Sequence, residues 1–296
     1  MDIIQVITKE LNVEKWQVEA AVKLIDEGCT IPFISRYRKE ATGSLNDEQL
    51  RTLHERLTYL RNLEEKKNQV LGSIEEQGKL TAELKKQILD AQTLVVVEDL
   101  YRPFRPKRRT RAIIAKEKGL EPLANIIMLQ MTDKPMEEEA QDFVSEEKGV
   151  ETVADAINGA KDIIAEHISD EADYRIYLRK LTMDRGSVVS TAKKPEESSV
   201  YEMYYEFEEP IKKLAGHRVL ALNRGEKEKI LTVKVNAPEE EAMGWLQKQV
   251  ITKENPITKP ILREVVEDSY KRLIAPAIER EIRSDLTEKA EDGAIH

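Results

Sequence analysis

The sequence has very few of the residues that build disulfides, metal sites and redox centres. Among its 296 residues there is one cysteine, Cys29, and there are four histidines, which are scattered along the chain. One cysteine cannot form a disulfide within the chain, and no Cys or His residues stand at the spacing of metal ligands. We therefore expect no disulfide, no metal and no other cofactor, and the cysteine usage favours a cytoplasmic protein.

The usual signatures of catalysis are missing as well. The sequence contains no glycine-rich phosphate-binding loop, no GxSxG motif and no HExxH motif. Two acidic triplets, Glu137–Glu139 and Glu239–Glu241, stand where helices are predicted to begin. At those positions the helix dipole explains the carboxylates better than a two-metal site does. We therefore expect that the chain is not an enzyme and takes no small-molecule substrate.

Long apolar runs and aromatic residues are also scarce. No stretch approaches the roughly 20 apolar residues that cross a membrane, and the N-terminus lacks the pattern of a signal peptide. Charged residues make up 35% of the chain and aromatic residues 5%, whereas an average globular domain is about 25% charged. This composition favours solvated helices over a β-sandwich. We expect a mainly α protein with no membrane partner, long enough for about two domains.

Apolar residues at spacings of three and four predict one long helix over residues 46–77. Asn46 is a suitable N-cap, and the helix is expected to stop at Gly78. Glu64 and Lys67 interrupt the apolar seam in the middle of the helix. We therefore expect one arm of a helical hairpin rather than a free-standing coiled coil.

The tract that precedes this helix, Ile31–Leu45, combines aromatic, apolar and basic residues. Three of its side chains are expected to dock on a core, namely Phe33, Ile34 and Tyr37. Three cations are expected to face outward, namely Arg36, Arg38 and Lys39. A packing turn with solvated charges is at least as good an interpretation of this tract as a binding site.

Shorter helices follow, separated by Gly119 and Gly149. They predict a helix-turn-helix-like unit over about residues 112–170, although consecutive short helices often serve only packing. We therefore expect one helical domain over residues 1–170.

The remaining third of the chain is expected to be more mixed. Residues 171–237 are predicted to form a small segment with a β-hairpin over about residues 217–236, because two β-rich runs flank Gly225. Residues 238–296 are predicted to be C-terminal helices, kinked or divided at Pro276. The expected fold class is mainly α, a multi-helix bundle with a long helical hairpin, a helix-turn-helix-like unit and a small β-hairpin insertion.

The most basic part of the sequence runs from Asp99 to Lys118, and we call it the basic segment. It holds eight Lys or Arg residues and two acids, a local charge of +6 in a chain whose formal net charge is −9. Prolines and aromatic anchors make it a stiff strap that suits phosphate or an acidic partner surface. Charge alone equally permits a basic linker that neutralises neighbouring acidic helices. The candidate nucleic-acid-binding residues are Arg102, Arg105, Lys107, Arg108, Arg109 and Arg111.

The basic segment also belongs to a set of ordered blocks that resembles a known family. The other blocks are Ile31–Leu45, Glu117–Ala124, Ala156–His167 and His217–Glu226. Together they resemble the amino-terminal region of the bacterial Tex proteins, which are transcription accessory factors, and the resemblance covers almost the whole chain. It implies a helix-turn-helix-like unit. It also implies that this chain stops before a nuclease-like fold, helix-hairpin-helix units and an S1 RNA-binding domain, to which the family's main nucleic-acid grip is attributed.

Two functions from different classes remain open at this point. The first is the scaffold of a transcription accessory factor that binds RNA or DNA through its phosphates, without sequence specificity, with the transcription machinery as a further candidate partner. The alternative is an interaction scaffold that binds no nucleic acid, in which the basic segment packs on acidic helices or on missing domains. The two differ in whether the guanidinium groups of the basic segment are exposed together or paired one by one with carboxylates.

Overall fold

Most of the chain is helical, as its highly charged and aromatic-poor composition predicts. The computed structural model describes residues 1–295, with side chains up to Gly293. The chain forms two compact units, and we call Met1–Phe104 the first unit and the part from Arg105 onward the second unit. Three short strands are the only extended elements of the described chain, so the mainly α fold class is confirmed.

The first unit consists of seven α-helices, and its core lies between the long fifth helix and the helices around it. The seven helices are α1 (Ile3–Leu11), α2 (Lys15–Asp26), α3 (Ile31–Tyr37), α4 (Lys39–Thr42), α5 (Asp47–Glu76), α6 (Ala82–Asp90) and α7 (Leu94–Tyr101).

Helix α5 matches the predicted long helix to within one residue at each end. A capping box fixes its start, because Asn46 Oδ1 accepts from Gln49 N at 2.8 Å and Gln49 Oε1 accepts from Asn46 N at 3.0 Å. The lysine that interrupts the apolar seam, Lys67, is buried, and its ammonium is satisfied because it donates to the carbonyl of Leu89 at 2.7 Å. The chain returns along α5 as two short helices, α6 and α7, and not as one long second arm.

The aromatic residues of α3 differ from the expectation. Ile34 is fully buried, but Phe33 is 37% exposed and Tyr37 is 61% exposed. Phe33 and Tyr37 stand four residues apart and therefore share one side of the helix, while Ile34 anchors another side to the core. The prediction that all three side chains dock on the core is therefore correct only for Ile34.

The second unit is built around one continuous apolar core that runs from Ala112 to Ile282. Its helices are α8 (Arg111–Glu117), α9 (Glu121–Leu129), α10 (Met136–Gln141), α11 (Val153–Asp170), α12 (Ala172–Arg185), α13 (Gly216–Lys227), α14 (Glu239–Val250), α15 (Thr258–Asp268) and α16 (Ala275–Ile295). Helix α11 packs against α8, α9, α10 and α15. These helices share one core, and the compact units divide after Phe104. The domain boundaries at residues 170 and 237 stay a prediction.

The β-structure is a three-stranded antiparallel sheet with the order β2-β1-β3. Its strands are β1 (Ser187–Ala192), β2 (Glu206–Pro210) and β3 (Leu231–Asn236), and Val188 of β1 stands opposite Glu209 and Val235. The predicted hairpin over residues 217–236 is therefore wrong in its first arm, which is helix α13. The second arm is confirmed as β3, but it pairs with a strand about forty residues earlier in the chain. Local sequence does not reveal a partner at that distance.

The last helical stretch is divided just before Pro276, as predicted. A π-helical turn, Ser269–Ile274, separates α15 from α16, and Pro276 has no N–H for a regular helical hydrogen bond. The turn is held inside the unit because Ser269 Oγ donates to the carbonyl of Ala165 at 2.6 Å. Burial raises the pKa of Tyr270, the next residue, to about 12.

Candidate nucleic-acid interface

The basic segment changes local structure three times along its length. Helix α7 ends at Tyr101, a short 3₁₀ turn covers Arg102–Phe104, and an irregular stretch leads to α8 at Arg111. Thr110 caps α8, because its Oγ1 accepts from Ile113 N at 3.2 Å. The segment therefore does not form one continuous helix, as its prolines predict. It contains the connection between the two units.

The first part of the basic segment is anchored within the first unit. The hydroxyl of Tyr101 lies 2.8 Å from Ser73 Oγ, and Gln77 Nε2 donates to the carbonyl of Phe104 at 2.9 Å. Arg102 is half-buried here, with Nη2 4.0 Å from Oδ1 of the buried Asp99. The aromatic residues of the segment thus hold it to α5, and Arg102 is engaged with its own helix end.

In the second unit, Lys107 is bound to helix α11. Its ammonium donates to Glu166 Oε1 at 3.2 Å and also contacts the carboxylate of Asp170. All three side chains are largely withdrawn from solvent, with 22%, 17% and 15% exposure respectively. Glu166 and Asp170 stand four residues apart on one face of α11. Lys107 therefore holds the irregular stretch against this acidic pair.

Arg109 is exposed and is also paired, with Nη2 2.7 Å from Glu117 Oε2. Because the two side chains remain 67% and 50% exposed, this ion pair is open to exchange with another anion. A phosphate could compete for the guanidinium of Arg109 far more easily than for the ammonium of Lys107.

Arg111 lies at the edge of a cleft of about 330 Å³ between α8 and α11. The cleft carries charges of both signs, because Lys118 and the carboxylates of Asp155 and Asp162 also line it. Burial raises the pKa of Asp162, and the positive charges of Arg111 and Arg272 oppose that rise. Arg111 is therefore exposed to solvent, and its positive charge also acts on the carboxyl group of Asp162.

The six predicted residues are thus only partly brought together. Five of them belong to the second unit and Arg102 to the first. Four are exposed and follow one another within seven residues of chain, namely Arg105, Arg108, Arg109 and Arg111. Lys107 and Arg102 are engaged with carboxylates in or beside the segment. The cations of the basic segment are therefore neither all exposed together nor all paired with carboxylates.

One cation near the basic segment was missed by sequence reasoning. Gly119 and Gly149 both have a positive φ, of 77° and 82°, and their loops face each other. A side chain built on Gly119 would lie 3.4 Å from Lys148 Nζ, and one built on Gly149 would lie 3.6 Å from Lys118 Cε. Lys148 is thus brought beside the end of the segment. Its local sequence conceals it, because it directly follows Glu146 and Glu147.

The described residues show neither a metal site nor a membrane span. Within residues 1–295, no three or more His, Cys, Asp or Glu side chains cluster in a way that could hold a metal ion. In the same part of the chain, no helix combines the length and the apolar character that crossing a bilayer requires.

Part of each unit matches a known protein family. Residues 1–75 match the family described as the Tex-like protein N-terminal domain. Residues 130–296, which are more than half of the chain, match the family described as Tex central region-like.

Full-length relatives agree with these family matches. The chain is 50% identical to the Bacillus subtilis protein YdcI over 295 residues, which are 99% of this chain and 41% of that protein. It is 36% identical to the Neisseria gonorrhoeae "Transcriptional accessory protein Tex", over 100% of this chain and 40% of the relative. It is 31% identical to the human "S1 RNA-binding domain-containing protein 1", over 99% of this chain and 31% of the relative. The chain thus spans about two fifths or less of the length of these relatives, and it belongs to the Tex-like family.

Proposed function

We propose that this chain is the amino-terminal scaffold of a transcription accessory factor, and that it contacts RNA or DNA through the phosphate backbone without reading sequence. In this proposal the protein acts in the cytoplasm and performs no catalysis of its own. The observation that carries the proposal is the group of four exposed arginines within seven residues of chain, Arg105, Arg108, Arg109 and Arg111. The name of the gonococcal relative supports the transcriptional role.

The chemistry of the cluster suits phosphate and not base edges. Arginine presents a planar fork of donors that matches phosphate oxygens. The four arginines lie on an irregular stretch and at the first residue of α8, so no regular element presents them to a groove. Contacts of this kind hold a polynucleotide in place without selecting its sequence.

A helix-turn-helix-like arrangement of α8 and α9 is part of the proposal, but as packing and not as a reader of DNA. The two helices are joined by three residues that include Gly119, which is the kind of turn that such motifs use. Helix α9 contains no Lys or Arg, and Leu123, Ala124 and Ile127 are buried in the core. Contact with nucleic acid is therefore expected from the stretch before α8 and not from α9.

A second candidate function is the interaction scaffold, and one observation favours it. Lys107 is already satisfied by Glu166 and Asp170, and Arg109 is paired with Glu117. Part of the basic segment thus neutralises acidic helices of its own unit, as a structural linker would.

A binding experiment separates the two functions. We would measure the fluorescence anisotropy of labelled single-stranded RNA and duplex DNA at two salt concentrations. The native chain is compared with a variant in which Arg105, Arg108, Arg109 and Arg111 are changed to Glu. The matched control changes four exposed lysines of the same unit to Glu, namely Lys180, Lys213, Lys227 and Lys253. Circular dichroism and thermal melting check that both variants fold.

The proposal expects salt-dependent binding that the arginine variant loses and the lysine variant keeps. Each phosphate contact that is removed lowers the slope of log K against log salt by about one. Equal losses in both variants would show that only the overall charge matters. Absence of binding by the native chain would leave the interaction scaffold.

A further inference from the structure

The tract at Arg36–Lys39 is not used by the proposed function, yet the structure places it on a second cationic surface, in the first unit. We call this surface the aromatic face and define it by Phe33, Arg36 and Tyr37 of α3, the intervening Arg38, and Lys39 of α4. Arg36, Tyr37 and Lys39 are exposed, and the two aromatic rings lie with their centroids 5.5 Å apart at an interplanar angle of 48°. Exposed rings beside exposed cations form the surface.

The rings are held in place by their immediate surroundings. The guanidinium of Arg38 lies 4.9 Å from the centroid of the Phe33 ring, and its Nη1 donates to the carbonyl of Tyr37 at 2.8 Å. Thr30 caps α3, because its Oγ1 accepts from Phe33 N at 3.3 Å. Ile34 anchors the helix in the core. The face is therefore ordered before any ligand arrives, which lowers the entropic cost of binding.

The end of α4 is fixed in the same way. Gly43 has a φ of +64°, and its backbone is covered by Gln17 and Trp16, which come within 2.5 and 2.7 Å of where a Cβ would stand. Gln17 Nε2 donates to the carbonyls of Thr42 and Gly43 at 3.0 and 3.1 Å. A larger residue at position 43 would have to push the ends of these two side chains aside. The short helices that carry the face are thus tied to the rest of the unit.

The cations of the face differ from the other arginines of the first unit. Arg56 binds Glu10 at 2.7 Å and Arg61 binds Asp26 at 2.8 Å, each through two nitrogens. In the described part of the chain, no carboxylate lies within 4.0 Å of the charged groups of Arg36, Arg38 or Lys39. The unit neutralises its other arginines internally and leaves these three charges without a carboxylate partner.

We propose that the aromatic face binds single-stranded nucleic acid, with a base stacked on Tyr37 and the adjoining phosphates contacted by Arg36 and Lys39. Stacked bases on aromatic rings, combined with cations along the backbone, are how proteins hold single strands without sequence preference. A duplex hides the faces of its bases, so it offers nothing for the Tyr37 ring. The site extends the proposed function by base stacking, but it uses residues of the other unit and stands independently of the basic segment.

The test compares a single strand with a duplex on the same protein. The probes are a labelled oligonucleotide of about ten uridines, a length within the usual range of such sites, and a labelled DNA duplex. The variants are Tyr37→Ala, which removes the ring, and Tyr37→Phe, which keeps it. Because Tyr37 is 61% exposed, neither change is expected to alter the melting temperature. Anisotropy titrations of the 296-residue chain give the affinities.

The expected result is a loss of at least about five-fold in affinity for the single strand with Tyr37→Ala, and none with Tyr37→Phe. The duplex affinity stays the same in both variants. A double change of Arg36 and Lys39 to Ala lowers the salt slope for the single strand by about 0.7 per charge. The matched control changes Lys85 and Lys86, two exposed lysines on α6 of the same unit, to Ala and leaves the single-strand affinity and slope unchanged.

Three results would overturn the inference. They are native affinity in Tyr37→Ala, an equal loss on both probes, and an equal loss in Tyr37→Phe. The first of these leaves a protein partner as the occupant of the face. The Glu variant of the basic segment separates this inference from the proposed function, because it acts on both probes alike. If Tyr37→Ala loses single-strand affinity and the Glu variant of the basic segment has no effect, the aromatic face is supported and binding by the basic segment is rejected.

Discussion

The two cationic surfaces of this protein use the same residue types in opposite ways. The basic segment is attached to α5 through the hydroxyl of Tyr101 and the backbone carbonyl of Phe104, and part of its charge is paired with carboxylates. The aromatic face leaves Tyr37 exposed, and its cations have no ion pair among residues 1–295. The sequence ranks the basic segment far above the aromatic face by charge. The number of charges in a tract therefore differs from the number that is available to a ligand.

The largest expected effect comes from removing the most deeply paired charge of the basic segment. Changing Lys107 to Met removes the ammonium that contacts both Glu166 and Asp170, two largely buried carboxylates. We expect a loss of about 2–3 kcal/mol in the free energy of unfolding, because removing one partner of a largely buried ion pair is costly. Urea denaturation followed by circular dichroism measures it.

The control for this change is Arg108→Met, which removes a charge from an exposed side chain one residue away. We expect a change of less than about 0.5 kcal/mol. Adding Asp170→Asn to the Lys107 variant restores part of the lost stability. If Lys107→Met and Arg108→Met have equal stability, Lys107 is not a structural residue and the two surfaces differ less than their contacts indicate.

The next effect concerns neighbouring arginines of the basic segment. The Arg108→Ala change removes an exposed cation, whereas Arg109→Ala removes one that is already paired with Glu117. If the segment contacts phosphate, Arg108→Ala lowers the salt slope of binding by about one and Arg109→Ala lowers it by less. Titrations of duplex DNA at several salt concentrations give both slopes. Equal slopes would mean that the ion pair opens without cost when nucleic acid binds.

A smaller gain is expected from releasing Arg109. Changing Glu117 to Gln removes the carboxylate 2.7 Å from the guanidinium and also removes a negative charge that repels phosphate. Exposed ion pairs are worth about 0.2–1 kcal/mol, so the affinity for duplex DNA should rise about two- to four-fold at low salt. The same titration checks it, with Glu121→Gln as a control on an exposed acid of α9. Unchanged affinity in Glu117→Gln would argue against a role of Arg109 in binding.

The smallest effect tests the paired arginines of the first unit. The Arg61 guanidinium donates two hydrogen bonds to the Asp26 carboxylate and so lowers the pKa of Asp26. Because both side chains are 47% exposed, Arg61→Ala should cost only about 0.5 kcal/mol at neutral pH. A lowered carboxyl pKa means that this stability is present above the ordinary value of 3.8 and disappears as pH falls through the lowered pKa.

Thermal melting across acidic and neutral pH shows whether native chain and Arg61→Ala converge in acid. Arg36→Ala on the aromatic face should show no stability change at any pH, since that guanidinium has no described carboxylate partner. A pH-dependent loss in Arg36→Ala would contradict the contrast between the paired and unpaired arginines of this unit.

Sequence reasoning succeeded where local interactions decide the structure. Helix α5 was predicted because its cap, Asn46 and Gln49, and its leucine seam lie within the helix itself. The divided C-terminal helix was predicted because Pro276 acts on its own backbone. These features need no knowledge of distant partners.

The failures depend on partners that are distant in the chain. Strand β3 pairs with β1 and not with the preceding residues, and the hairpin prediction placed a strand where helix α13 stands. The binding of Lys107 to α11 joins residues about sixty positions apart, and charge counting could not detect it. The exposure of Phe33 and Tyr37 follows from which side of α3 meets the core. Whether the six predicted residues bind nucleic acid stays a prediction.

Limited proteolysis near the connection between Phe104 and Arg105 can report ligand binding at the basic segment. Trypsin cleaves after Lys or Arg but poorly before Pro, so Pro103 and Pro106 shield Arg102 and Arg105. The exposed Arg108 and Arg109 are the first open cleavage sites after the connection. A bound polynucleotide would cover the same side chains that the protease must enter. The rate of cleavage after Arg108 and Arg109 would therefore serve as a footprint, slowed by ligand at the basic segment and unchanged by ligand at Tyr37.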